Sequence, residues 1–226
     1  MSGLGGKDAR PGTAAGGATT PEVPLGHPFP DRHGAGVELA ARLERLRREV
    51  PVILALEPGG VPVGEAVAQA LGAPLAVITV ARIGEPGRRV GAVAEGGPPV
   101  IDHDLARAHG MSRAALAEAR AEAEAAVAER LAARTEPLPD LAGRTVVLVG
   151  DGIATGRAAA AAGRAVRRRG AAWIVAAAPV ATAHAIAHLG DEVDEVVCVR
   201  CAPLPASLWD WYDQPLPPLE PDVAGP

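Results

Sequence analysis

The residues best placed to do chemistry lie between Thr145 and Arg169, in the stretch TVVLVGDGIATGRAAAAAGRAVRRR. Thr145–Val149 is a short, apolar, β-branched run, the pattern of a buried parallel strand. Gly150, Asp151, Gly152, Ile153, Ala154, Thr155 and Gly156 follow, and then a helical Ala- and Arg-rich segment. A strand, a turn of small residues and a helix start, in that order, make an anion cradle. Backbone N–H groups converge at the turn, and the helix N-terminus adds a partial positive charge. Glycines belong there because a phosphate can touch the backbone only where no Cβ intervenes. The spacing is neither G-x-G-x-x-G nor G-x-x-x-x-G-K-[ST], which sets aside dinucleotide and Walker-type loops.

A second Gly-rich turn has the same context. Val52–Leu56 reads as a buried strand, and Glu57-Pro58-Gly59-Gly60-Val61-Pro62 leads from it into a helix over Val63–Leu71 that stops at Gly72. Another anion site is geometrically open there, although Glu57 brings a negative charge. An inherited turn without a ligand is the competing reading.

The elements that must hold these turns alternate between strand and helix. Asp31 caps a helix over Gly34–Glu49. Leu75–Val80 reads as a second strand, and the glycines and prolines from Ala81 to Gly97 read as a mobile hairpin. Ser112 caps a long, mostly solvent-facing helix through Arg134 with a thin Leu/Val/Ala stripe, for which a homodimer face is the lesser reading. Trp173–Pro179 and Glu195–Cys201 are further strands, separated by a short helix over Thr182–Leu189. The fold class is therefore α/β, doubly wound, with a mostly parallel sheet and flanking helices. Ligands of such sheets bind at the carboxyl ends of the strands, where both Gly-rich turns fall. Residues 1–26 read as a disordered tail, 27–212 as the domain, and 213–226 as a Pro-rich tail.

Composition narrows the function classes. The 226 residues carry a net charge of −5, which argues against nucleic acid as a partner. No apolar run reaches membrane-spanning length and no leader is recognisable, so a cytoplasmic protein with no membrane partner is expected. Only 2% of residues are aromatic, so Val, Leu, Ile and Ala must build the core. Lys7 is the sole lysine, which leaves arginine and histidine as the cations of any buried site. Cys198-Val199-Arg200-Cys201 is a C-x-x-C, and His184 and His188 stand four apart. A zinc site could be assembled from them, but alternation along a strand turns the two thiols to opposite faces. His103 and His109 near Asp102 and Asp104 lack a metal-ligand spacing, and no metal site is assigned.

The segment GDGIATG resembles the phosphoribosyl pyrophosphate (PRPP) loop of type I phosphoribosyltransferases, in which two acids precede G-[IVT]-A-T-G. The resemblance implies that Asp151 faces a ribose hydroxyl and acts in catalysis. It also implies that Gly152, Ile153, Ala154, Thr155 and Gly156 wrap the 5-phosphate. Gly150 replaces the first acid. LALEPGGVPVGEAVAQALGAPL is similar to the L-x-R-G-G-V-P-V-A pyrophosphate segment, with Gly59 and Gly60 retained and Pro58 in place of the arginine. Ala81-Arg82-Ile83-Gly84 and Val90–Gly97 resemble the R-K-I-G and I-G-A-V-A-E-G-G parts of the family's flexible hairpin. Arg82 stands where the lysine would be, and the arm between Pro86 and Val90 is shortened. Trp209, Trp211 and Tyr212 resemble an aromatic end that could stack on a base in a small C-terminal hood; docking of the tail is the other reading.

The resemblance implies transfer of ribose 5-phosphate from PRPP to a nitrogen nucleophile, with Mg2+ holding the pyrophosphate. Two classes of function follow. One is a transferase of nucleotide metabolism, whether fast or slow. The other is a phosphoribosyl-ligand binding or regulatory protein impaired in catalysis at Glu57, Pro58 and Gly150.

Overall fold

The computed structural model describes residues 28–202 and 211–213. The readings for segment 1–26, for Trp209 and for the tail beyond Asp213 lie outside the described residues.

Five strands form the parallel sheet: β1 (Val52–Leu56), β2 (Leu75–Ile78), β6 (Thr145–Val149), β7 (Trp173–Thr182) and β8 (Glu195–Ala202). Their order is β2-β1-β6-β7-β8, and every neighbouring pair is parallel. β1 and β6 were legible to the residue because they are uninterrupted apolar runs, as strands covered on both faces must be. Alternation sorts their side chains. Ile53, Val147, Val149, Val175 and Ala177 pack under α1 (Arg32–Leu43) and α2 (Gly60–Leu71). Leu54, Val146, Leu148, Ile174 and Ala176 pack under α5 (Arg157–Arg168) and α6 (Ala183–Leu189). This is the doubly wound architecture.

The helix starts follow capping chemistry. Asp31 accepts the Gly34 N–H at 2.6 Å and opens α1, which tightens into a 3-10 turn over Glu44–Glu49 instead of running on as α-helix. α2 starts at Gly60, three residues before the expected Val63, because Pro62 is tolerated in a first turn.

The expected strand Leu75–Val80 is two strands. It breaks at buried Thr79, where the chain leaves the parallel sheet and enters a second, antiparallel sheet. That sheet is β3 (Val80–Ile83), β4 (Gly91–Ala94) and β5 (Val100–Ile101), in the order β3-β4-β5. After the short α3 (His103–Ala108) comes α4 (Arg113–Ala133), capped by Ser112. The thin stripe of α4 is not spent on solvent. Ala123 and Val127 are buried against Ala81, Ile83, Val90 and Val93 of the hairpin.

One ion pair fastens the end of α4 to the hairpin. Glu95 is almost wholly buried, and Arg134 grips both its carboxylate oxygens, Nη1 to Oε2 at 2.7 Å and Nη2 to Oε1 at 3.1 Å. Arg169 stands 3.8 Å from Oε1. Removing one partner of a buried pair strands the other charge and costs about 3–5 kcal/mol. Arg134→Met should therefore lower stability by about 3 kcal/mol, the low end because Arg169 remains, as read from the urea midpoint.

Candidate active site

The β1–β6 register decides where the two Gly-rich turns meet. Ala55 pairs with Val149, so both strands end at the same edge and their turns lie side by side. They touch. A Cβ on Gly60 would sit 2.3 Å from the Val149 carbonyl oxygen, and one on Gly59 would sit 2.1 Å from Asp151 Oδ2. Only glycine lets the first turn lie this close to the second. Gly150 is different: the nearest atom to a Cβ there is 3.5 Å away, an ordinary contact, so a Cβ is not excluded by space.

The loop Gly150–Gly156 is held by β7. The Ile153 N–H donates to Val180 O at 2.8 Å, the Thr182 N–H donates to Ile153 O at 3.0 Å, and Thr182 Oγ1 donates to Ala154 O at 2.7 Å. This explains why β7 runs past Pro179 to Thr182: its end pairs with the loop, as the Ile153–Ala181 bridge shows. Gly156 takes φ 77° as the N-cap of α5, a conformation that favours glycine. The first turn of α5 then leaves N–H groups without intrahelical acceptors beside Thr155.

Asp151 is fixed from both ends of the described chain. Arg32, 119 residues away, donates Nε at 3.1 Å and Nη2 at 2.8 Å to Asp151 Oδ2. The Tyr212 hydroxyl donates to the Asp151 carbonyl at 2.6 Å. Burial first, and then the Asp151 carboxylate, push the Tyr212 phenol well above its ordinary range, with Arg32 opposing; the hydroxyl therefore stays a donor. Phe29 bridges to Tyr212, its N–H donating to Trp211 O at 2.7 Å. Trp211 and Tyr212 are both buried in the core under α1 and α2 and line none of the clefts described below. In this structure they pack onto the sheet, and the Tyr212 hydroxyl braces the loop.

A cleft of about 460 Å³ opens between the two turns, the hairpin and α4. Glu57, Pro58, Gly59, Gly150, Asp151 and Gly152 line one side; Arg82, Arg89 and the Glu122–Ala126 face of α4 line the other. A smaller pocket lined by Arg82, Arg89 and Gly152–Ala159 continues from it over the loop. Arg130 of α4 reaches across to Glu57, Nη1 to Oε1 at 3.9 Å, and also donates to Val80 O at 3.1 Å. On the far side of Thr155 and Gly156 a second cleft is lined by Asp102, His103, Asp104, Arg157 and His188. Asp102 is paired with Arg157 at 2.9 Å. Burial would raise the Asp102 carboxyl, but the Leu105 N–H and the Arg157 guanidinium outweigh it and hold it below the ordinary range.

The sulfur and histidine motifs do not converge. Both cysteines are free, and Cys198 packs on the α5 side of the sheet while the next residue, Val199, lies on the α1 side. Among the described residues, no three of His, Cys, Asp and Glu stand together as a metal would need. No described helix is long and apolar enough to cross a membrane.

Comparison with known proteins bears on this arrangement. The profile of the phosphoribosyl transferase domain matches residues 34–212. This chain belongs to that family. Two Mycobacterium tuberculosis proteins, one from each of two strains and provisionally named phosphoribosyl transferases, are 38% identical to it over 177 residues. The match takes in 76% of this chain but only 40% of theirs, so the chain spans about two fifths of the length of these relatives. TT1426 from Thermus thermophilus superposes with a TM-score of 0.68 at 34% identity, covering 87% of this chain and 96% of its own. AQ2163 from Aquifex aeolicus shares the fold at 12% identity, with a TM-score of 0.51 over 76% of this chain and 75% of its own.

Within the phosphoribosyl transferase fold of this chain, two contributors to the site escaped the sequence reading. Arg32 follows the capping Asp31, so its only local signal is helix entry; its partner is fixed by the sheet. The cleft-lining face of α4 looked like any alanine-rich helix face. The glycine geometry yields a contrast between neighbouring positions. Gly60→Ala should cost about 1–3 kcal/mol by forcing a Cβ against a backbone carbonyl, whereas Gly150→Ala should change stability by less than about 0.5 kcal/mol in thermal unfolding.

Proposed function

We propose that this phosphoribosyl transferase-family chain binds a ribose 5-phosphate ligand, PRPP or a nucleoside monophosphate, at Asp151–Gly156 and transfers the phosphoribosyl group to a nitrogen nucleophile. The observation that carries this reading is the loop Gly152–Gly156, pinned to β7 and opening onto a cleft at the carboxyl edge of the sheet. The 5-phosphate sits against the loop amides and the Thr155 hydroxyl. The ribose extends toward Asp151, whose carboxylate accepts a hydroxyl. The acceptor approaches from the cleft under α4. In such chemistry the protein positions the two reactants and stabilises charge on the leaving group.

Magnesium fits this donor set only as a partner of the substrate. Mg2+ is commonly held by one or two carboxylates together with substrate phosphates and water. Asp151 and Glu57 are the carboxylates of the two turns that line the cleft and would hold it. When bound with PRPP it would neutralise charge on the departing pyrophosphate. The chain's own contribution there is Arg82 and Arg89 on the hairpin wall.

Binding with little or no transfer is the second reading, favoured by Glu57 and Pro58 in the first turn and by Gly150 in the second. Without an arginine at Pro58, and with Glu57 beside it, a pyrophosphate adds little affinity. PRPP with magnesium should bind no more than about tenfold tighter than ribose 5-phosphate, a gap of ~1.4 kcal/mol by calorimetry; a hundredfold preference refutes the weakened first turn. Thr155→Val should weaken ribose 5-phosphate by about 1–2 kcal/mol, the scale of one hydrogen bond to a charged group. Gly150→Asp, whose Cβ meets nothing nearer than 3.5 Å, should tighten ribose 5-phosphate and raise turnover measured over a panel of bases. Unchanged affinity and turnover in a folded Gly150→Asp protein would mean that the missing acid limits neither.

A further inference from the structure

We infer that Arg32 is a positioning residue of the ribose site: it occupies one oxygen of the Asp151 carboxylate so that the other is presented to the ligand. The inference rests on the ribose 5-phosphate reading and deepens it. With Gly150 at the preceding position, Asp151 is the only acid the loop offers, so its orientation is not shared with a second carboxylate. An aspartate at the end of a strand can turn about two side-chain torsions. Here one oxygen is held. Arg32 Nε and Nη2 both bond Oδ2, at 3.1 and 2.8 Å, and the pair is mostly shielded, with Arg32 10% and Asp151 21% exposed.

Three further contacts keep the arrangement in place. The Asp151 backbone is braced by the Tyr212 hydroxyl at 2.6 Å. The carboxylate lies over Gly59, where a Cβ would be 2.1 Å from Oδ2. Arg32 itself is set by the Asp31 cap at the start of α1, so the guanidinium comes from a rigid element. Oδ1 is the oxygen not engaged by Arg32, and Asp151 lines the cleft. A forked, planar guanidinium suits this task, since two N–H groups on one oxygen fix an angle as well as a distance. A lysine would supply the charge but not the angle. Arg32 also balances the charge of Asp151 beside a phosphate loop, so the acid can serve the ribose without repelling the phosphate.

The test compares a ligand that has the ribose with one that lacks it. Dissociation constants for ribose 5-phosphate and methyl phosphate are measured by amide NMR titration on the wild-type, Arg32→Gln, Arg32→Lys, Asp151→Asn and Arg32→Gln/Asp151→Asn proteins. The expected result is that Arg32→Gln lowers the preference for ribose 5-phosphate over methyl phosphate about tenfold, the scale of one hydroxyl-to-carboxylate bond. Arg32→Lys restores part of that preference, and Arg32→Gln adds nothing in the Asp151→Asn background. A purely structural role for Arg32 would weaken both ligands alike, and that result overturns the inference, as does an unchanged preference. If Arg32→Gln does not fold, Arg32→Lys decides, because an undiminished preference in that variant also overturns it. A wild-type protein that binds methyl phosphate but does not prefer ribose 5-phosphate overturns the ribose role alone. One that binds neither overturns the phosphate-loop reading and this inference with it.

Discussion

The close approach of two turns is the constraint on which the site depends. β1 and β6 lie side by side at the centre of a parallel sheet and end at the same level, so whatever follows each strand must share one small volume. Gly59 and Gly60 make that sharing sterically feasible, because a side chain at either position would run into Asp151 or the Val149 carbonyl. β7 then fixes the second turn from the opposite side through Val180 and Thr182. The loop after β6 is thus an extension of the sheet's hydrogen bonding, which is why its amides are preorganised.

Charge in and around the cleft is handled in pairs. Asp151 has Arg32, Glu57 has Arg130, Asp102 has Arg157, and Glu95 has Arg134. Every cation in these pairs is an arginine, in a chain whose only lysine is Lys7. The choice has a structural consequence. A guanidinium can hold a carboxylate and a backbone carbonyl at once, as Arg134 does with Glu95 and Val77 O, while Arg130 bonds Val80 O and stands 3.9 Å from the Glu57 carboxylate. Helix α4 is tied to the hairpin in this way while its alanine stripe packs over β3 and β4.

The core on the α5 side of the sheet does without aromatic bulk. Small side chains on α5, from Ala159 to Ala162 and at Ala165, lie in the core against the sheet, and the aromatic residues under α1, Phe29, Trp211 and Tyr212, gather where the two described chain ends meet. The Phe29 and Tyr212 rings stand 5.8 Å apart, and the Arg200 guanidinium lies 3.8 Å over Phe29. These three rings therefore pack beside Asp151 instead of lining the cleft it borders.

The amino-acid sequence by itself determined the parts governed by local physics. Val52–Leu56 and Thr145–Val149 read as buried strands, Asp31 and Ser112 cap the helices they precede, and GDGIATG reads as a turn of small residues between a strand and a helix. Its alternation of elements also settled the doubly wound fold class. Tertiary structure decided whatever depends on which distant segments meet. The break at Thr79 exists because one apolar run serves two sheets, a division that no periodicity within the run records. Tyr212 and Trp211 became buried braces because Phe29 pairs with them. Arg32 became the partner of Asp151 across 119 residues because α1 packs against the sheet beside the end of β6. A guanidinium is attracted to any carboxylate, so its sequence position names no partner; only the packing of the sheet and its helices does.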